Sequence, residues 1–117
     1  MGIAVEGRGP VHYKLNTCHA GDTFTVEVHG EFDLAAVPAF HDAMSEMLPA
    51  ESQLVADLRG LTFMDGSALN ELVSVHEWSC REGFGLTILA PPHPAYRVIE
   101  LTEMDGHLPI VPQGLGR

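Results

Sequence analysis

The stretch Leu54-Val55-Ala56-Asp57-Leu58-Arg59-Gly60-Leu61-Thr62-Phe63-Met64-Asp65-Gly66-Ser67-Ala68-Leu69 constrains this chain more than any other. It begins as an apolar run closed by Asp57, the pattern of a buried strand. Gly60 is expected to supply the backbone freedom for a turn. Phe63 and Met64 then lead into Asp65-Gly66-Ser67, where a helical pattern starts. The first turn of a helix has unsatisfied N–H groups and a partial positive charge. A serine placed there is a helix cap, a place to carry a phosphate, or both.

The flanking segments supply partners for that unit. Val11–Leu15 alternates as a first strand, and Ala20-Gly21-Asp22 reads as a turn. Phe24, Val26 and Val28 then alternate with Thr25, Glu27 and His29, giving a strand with one buried face. The two runs predict an antiparallel hairpin. Pro38 suits the first turn of a helix. Val37, Phe40, Met44, Met47 and Leu48 recur at helical spacing, and Pro49 is expected to end that helix. A third strand over 52–57 completes a βαβ unit with a right-handed crossover. The second helix is predicted from Ser67 to Arg81, with Leu69, Leu72, Val73, His76 and Cys80 on the packed face. Trp78 points nearly opposite Leu69 and is expected to be at least partly exposed. It is a candidate binding anchor, the plainer alternative being a ring lying on its own helix. Residues 86–90 read as a strand, 91–94 as a rigid turn, and Tyr96, Val98, Ile99 and Leu101 as a further helix. The expected fold class is α/β, a small mixed β-sheet with helices packed against it. One domain is expected over 11–112, between flexible tails at 1–10 and 113–117.

Composition narrows the function. The 117 residues carry a formal net charge of −10, and Lys14 is the only lysine. That argues against a nucleic-acid role, which needs a basic face, and against anionic membranes. An acidic protein-binding domain is the natural expectation. Cys18 and Cys80 lack metal-like spacing and are expected to be reduced thiols. No signal peptide is apparent, and no apolar run approaches the ~20 residues of a membrane helix. The expected location is the cytoplasm.

The run Leu-Arg-Gly-Leu-Thr-Phe-Met-Asp-Gly-Ser-Ala-Leu resembles the signature of STAS domains, specifically the bacterial anti-sigma factor antagonists. In that signature an acid is followed by two hydroxyl residues, then Gly-Leu opening a helix. Asp65 matches the acid, and Ser67 falls on the hydroxyl that a partner kinase phosphorylates. Gly66 stands where the family has its first Ser or Thr, and Ala68 where it has Gly. Gly30-Glu31-Phe32-Asp33-Leu34 is similar to the family's Gly-Glu-Leu-Asp motif, which makes Asp33 a candidate partner contact. The plainer reading of Asp33 is a loop acid near a helix start. The resemblance implies a protein that binds an anti-sigma factor with serine kinase activity, and so frees a sigma factor. The kinase, using ATP and magnesium, would end the complex by modifying Ser67, and a phosphatase would restore it. Asp33, Asp65, Gly66, Ser67, Ala68 and Trp78 are the expected contact residues. Domains of this kind also serve as scaffold subunits of lipid-transport ABC complexes or stress-sensing assemblies, without a phosphate cycle.

Catalytic readings fare worse. A hydrolase elbow needs Gly-x-Ser-x-Gly, and here Asp65 and Leu69 occupy the glycine positions. None of the seven histidines has a spacing that specifies a triad. His76 and Cys80, four apart, lack a third ligand, and core packing is the better expectation for both. Asp57 and Asp65 offer too few oxygens for a hard cation. The chain is expected to be neither an enzyme nor a carrier of metal or cofactor.

Overall fold

In the computed structural model the described residues are 4–6 and 12–112. Strand β2 (Tyr13–Ala20) and strand β3 (Thr23–Phe32) form the predicted antiparallel hairpin, with Ala20 opposite Thr23 across Gly21-Asp22. Thr23–Phe32 buries Phe24, Val26, Val28 and Phe32 on one face, as the alternation requires. β1 (Ala4–Glu6) pairs antiparallel with β2, so Val5 lies opposite Leu15. That corrects the expected tail, because three residues of it extend the sheet through main-chain bonds. The remainder of that tail and the expected tail at 113–117 lie outside the described residues.

Helix α1 (Val37–Met44) carries Pro38 in its first turn. It stops short of the predicted Pro49. Ser45 Oγ donates to the Asp42 carbonyl at 2.6 Å, and the next amides make i→i−3 bonds, Glu46 N to Ala43 O and Met47 N to Met44 O. A hydroxyl competing for a helix carbonyl tightens and ends the turn. Leu48, expected on the apolar stripe, is 53% exposed.

Strand β4 (Gln53–Met64) is twice the length predicted for it. It runs parallel to β3, with Glu27 opposite Asp57, His29 opposite Gly60, Gly30 opposite Leu61 and Glu31 opposite Phe63. β4 therefore gains an extra residue at each of two irregularities. Gly60 is not a turn. It lies inside the strand, and a Cβ there would overlap the His29 ring. The glycine answers a need for space rather than for backbone freedom.

Helix α2 (Gly66–Glu82) begins one residue before the prediction and ends at Gly83, φ 82°. It buries Ala68, Leu69, Leu72, Val75 and Ser79. Cys80, expected in the core, is exposed, and Val73 and His76 are half-buried. The packed face is thus centred on Leu72 and turned away from Cys80. β5 (Gly85–Leu89), α3 (Arg97–Leu101), a short 3-10 turn at Met104–Gly106 and β6 (Ile110–Val111) follow. The six-stranded sheet has the order β1-β2-β3-β4-β5-β6, parallel from β3 to β6. α1 packs on β2 and β3, α2 on α1 and β5, and α3 on α2. Phe32 and Phe40, rings 4.9 Å apart, join sheet to helix at the core's centre. Among the described residues no helix is long and apolar enough to cross a membrane.

Candidate functional site at the entrance to α2

Because β3 and β4 are parallel and Phe32 pairs with Met64, the loops that follow them leave the sheet side by side. Asp33 and Asp65 are the first residues of those loops, and Asp65 N donates to the Phe32 carbonyl at 3.2 Å. Loops at the carboxyl ends of parallel strands are where such sheets present their binding groups.

Asp65 is the N-cap of α2, in extended backbone at φ −120°. One oxygen, Oδ1, accepts from Ser67 N at 3.0 Å, Ala68 N at 3.1 Å and Ser67 Oγ at 2.6 Å. Partial burial works against the charge of this carboxyl. The bonds from Ser67 Oγ, the two helix amides and the N–H of Leu34 outweigh it and hold the pKa below the ordinary value. The sequence left Ser67 as the possible cap. The structure gives capping to Asp65 and places Ser67 inside the first turn, half-buried, its hydroxyl hydrogen directed at Asp65. Among the described residues no side chain other than Asp65 bonds that hydroxyl, so the Ser–His pairing of a hydrolase is not formed.

Gly66 is exposed, and a Cβ there would meet open space. Neither φ nor crowding demands glycine at a position where the family has a hydroxyl. Ala68 is fully buried. It is corrected from contact residue to core residue, and its methyl does not narrow access to Ser67. Asp33 does what the plainer reading said: Oδ1 accepts from Ala35 N at 3.0 Å, and its carbonyl accepts from Ala36 N and Val37 N. It shapes the entry to α1 beside the Asp65 loop. Trp78 stands apart, about 16 Å along α2 from Ser67 at the helical rise. It is half-buried and meets the Phe84 ring edge-on at 4.7 Å.

Two residues escaped the sequence reading. Leu34 is 72% exposed and Phe63 is 47% exposed. Leu34 follows Asp33 and gives its N–H to Asp65, while Phe63 lies two residues before Asp65 on β4. Both expose apolar surface at or just before the two adjacent loops. No sequence signal marked Phe63, because its outward turn depends on β4 continuing through Gly60 with two added residues.

Comparison with known proteins agrees with this fold. The family model described as "Mlab, STAS domain" matches residues 15–112. The chain belongs to the STAS family. A STAS-domain containing protein of Pseudomonas aeruginosa is 33% identical over 57 residues, which are 49% of this chain and 56% of that protein. The chain thus matches little more than half the length of that relative. An anti-sigma factor antagonist from Mycobacterium paratuberculosis superposes with a TM-score of 0.75 at 26% identity, covering 87% of each chain. The anti-sigma factor antagonist SpoIIAA, solved in its unphosphorylated form, gives a TM-score of 0.71 at 15% identity, over 86% of this chain and 89% of that one. At that identity the likeness is one of fold.

Proposed function

We propose that this chain is an anti-sigma factor antagonist switched by phosphorylation of Ser67. Unmodified, its Asp65–Ser67 loop, with Leu34 and Phe63 beside it, binds a cytoplasmic anti-sigma factor that is also a serine kinase, and the sigma factor is released. The kinase, using its own ATP and magnesium, transfers phosphate to Ser67 Oγ and the complex dissociates. A phosphatase reverses the step. The chain itself is a substrate and a binding partner, not a catalyst.

The observation that carries this reading is the Ser67 hydroxyl held at 2.6 Å on the carboxylate that caps α2. Its hydrogen is engaged, and no described group occupies its lone pairs, which are what attack phosphorus. A phosphate on that oxygen adds roughly −1.5 to −2 charge next to a carboxylate already biased to ionisation. It also removes the hydroxyl hydrogen that Asp65 accepts. The switch is therefore a local repulsion at a helix cap, in which phosphate and carboxylate compete for the same two amides. The test is incubation of the chain with a purified anti-sigma kinase, ATP and magnesium, followed by mass spectrometry. Single modification at Ser67, abolished in Ser67→Ala, is the expected result.

The second reading is a scaffold subunit, in which the same loop packs permanently on a neighbour. It is favoured by Gly66, which removes a hydroxyl without structural need, and by the apolar surface at Leu34 and Phe63. Absence of label with several active kinases, or label on another residue, decides for it.

A further inference from the structure

We propose that the groove between α1 and α2 is a docking site for a helical segment of a protein partner, carrying one apolar anchor flanked by basic residues. The proposal rests on the preceding section only for the identity of that partner.

Ser67, Glu71, Ser74, Trp78 and Arg81 are spaced by four, three, four and three residues along α2. That spacing sets them on one stripe of the helix. The stripe is about 21 Å long at the helical rise, some four turns. Below Ser67 it becomes one wall of a groove of about 350 Å³, whose other wall includes His41 and Met44 of α1. A second hollow of about 380 Å³ opens on the far side of Trp78, beside Met47 and the exposed Leu48. Trp78 lines both. The site thus offers an aromatic face, the partly buried Met47 and an exposed leucine, with the buried Met44 as its floor, the composition of a surface that receives an apolar anchor. Its line runs toward the loop of Ser67, so one partner reaches both.

Charge selects the occupant. His41 Nδ1 lies 3.1 Å from Glu71 Oε2 and ties the two helices together inside the groove. Glu82 lines the adjoining hollow, and Asp42 and Glu77, the sequence neighbours of His41 and Trp78, are exposed, in a chain of net charge −10. Arg81, at the lower end, is the groove's one arginine among the lining residues. An acidic segment, a nucleic acid or an anionic lipid surface is repelled by that field, and a basic segment is attracted. A helix laid in a groove between two helices is a recurring way to seat such an anchor.

The test uses the full chain and two synthetic peptides of about 15 residues, long enough for four helical turns. Both carry the same single leucine anchor on one face, flanked in one by lysines and in the other by glutamates. Trp78 is the chain's only tryptophan, so its emission reports the groove directly, and amide NMR maps the rest. The lysine peptide is expected to shift Trp78 emission and the amides of α1 and α2, and the glutamate peptide to do neither. Ser74→Lys, on the exposed stripe, is expected to weaken the lysine peptide by about tenfold or more. Cys18→Lys, which adds the same charge at an exposed site on β2, is expected to change it less than about twofold. Circular dichroism verifies that both variants fold. Equal weakening by the two variants, shifts spread across the strands, equal binding of the glutamate peptide, or no binding at all overturns the proposal. Because peptide binding involves no phosphate, a chain that takes the peptide yet is never modified at Ser67 loses the switch and keeps the groove. A chain modified at Ser67 with an unresponsive groove does the reverse.

Discussion

The hydroxyl of Ser67 and the backbone amides of the first turn of α2 meet on the same atom, Oδ1 of Asp65. The residue proposed for modification and the residue that starts the helix are therefore coupled. Anything that alters one changes the hydrogen bonds of the other. A charge change at Ser67 acts first on the cap and only then on a partner.

Asp65→Ala removes the cap and leaves two amides of the first turn without their acceptor. A loss of about 1–2 kcal/mol is expected, the usual worth of such a cap. Asp65→Asn keeps an acceptor oxygen and should recover most of it. Ser67→Ala removes only one of the three hydrogen bonds to the Asp65 carboxylate, at a partly exposed position, and should cost less than Asp65→Ala. Urea unfolding of the three variants checks the order. Equal losses for Asp65→Ala and Ser67→Ala would contradict the assignment of the cap.

Two glycines of the signature are expected to respond in opposite directions. Gly60→Ala places a methyl on the His29 ring and should destabilise by about 1–3 kcal/mol, the cost of overpacking. His29→Ala should relieve most of that cost, so the double variant is more stable than the sum of the single ones predicts. Gly66→Ala meets open space at a helical position and should stabilise by about 0.4–1 kcal/mol through the unfolded chain. Thermal unfolding of the four proteins measures all of this.

What was legible in the sequence divides along physical lines. Period-two alternation marked β3, because Phe24, Val26 and Val28 are buried by elements far away in the chain. The apolar run at 54–58 marked the start of β4 for the same reason. The continuation of β4 through Gly60 was not legible, since glycine in isolation signals a turn, and the His29 ring that requires it lies on another strand. The early end of α1 depended on the Ser45 hydroxyl finding the Asp42 carbonyl, a choice periodicity does not see. At the site, motif order located Asp65 and Ser67. It did not separate their roles, because both residue types cap helices and only the geometry shows which oxygen faces the amides. Ala68 looked like loop surface because its burial is decided by the pose of α2 on the sheet.

Acid should unfold the protein through its engaged carboxylates. Burial opposes ionisation of Glu51, but the Leu48 amide and His19 hold its pKa below the ordinary value. Burial likewise opposes Asp57, and Arg59, bonding both of its oxygens, holds it low. Asp65 behaves the same way. Each group binds fewer protons folded than unfolded, so its contribution is complete above the unfolded carboxyl range near pH ~4 and is lost as pH falls through the folded value. The urea midpoint is expected to be level from neutral pH down to that range and to fall below it. Glu51→Gln should lower the neutral-pH midpoint and make the acid decline shallower. An unchanged acid limb in that variant removes Glu51 from the account.

Leu34 and Phe63 provide the sharpest separation of binding from folding. Leu34 is largely exposed and Phe63 about half exposed, so neither side chain belongs to the buried core. Leu34→Ser and Phe63→Ser are expected to leave the thermal midpoint within the range of surface substitutions, about 0.5 kcal/mol. If they anchor the partner that reads Ser67, each should weaken that complex by about 2 kcal/mol, near thirtyfold in Kd. Calorimetry against the purified anti-sigma factor measures it. Ser67→Asp places charge on the same surface and should abolish binding in the wild-type background while adding little to a chain that already lacks both apolar side chains. Full additivity of the three substitutions would mean that the charge acts on a different contact from the apolar one, and that the loop is not read as a single patch.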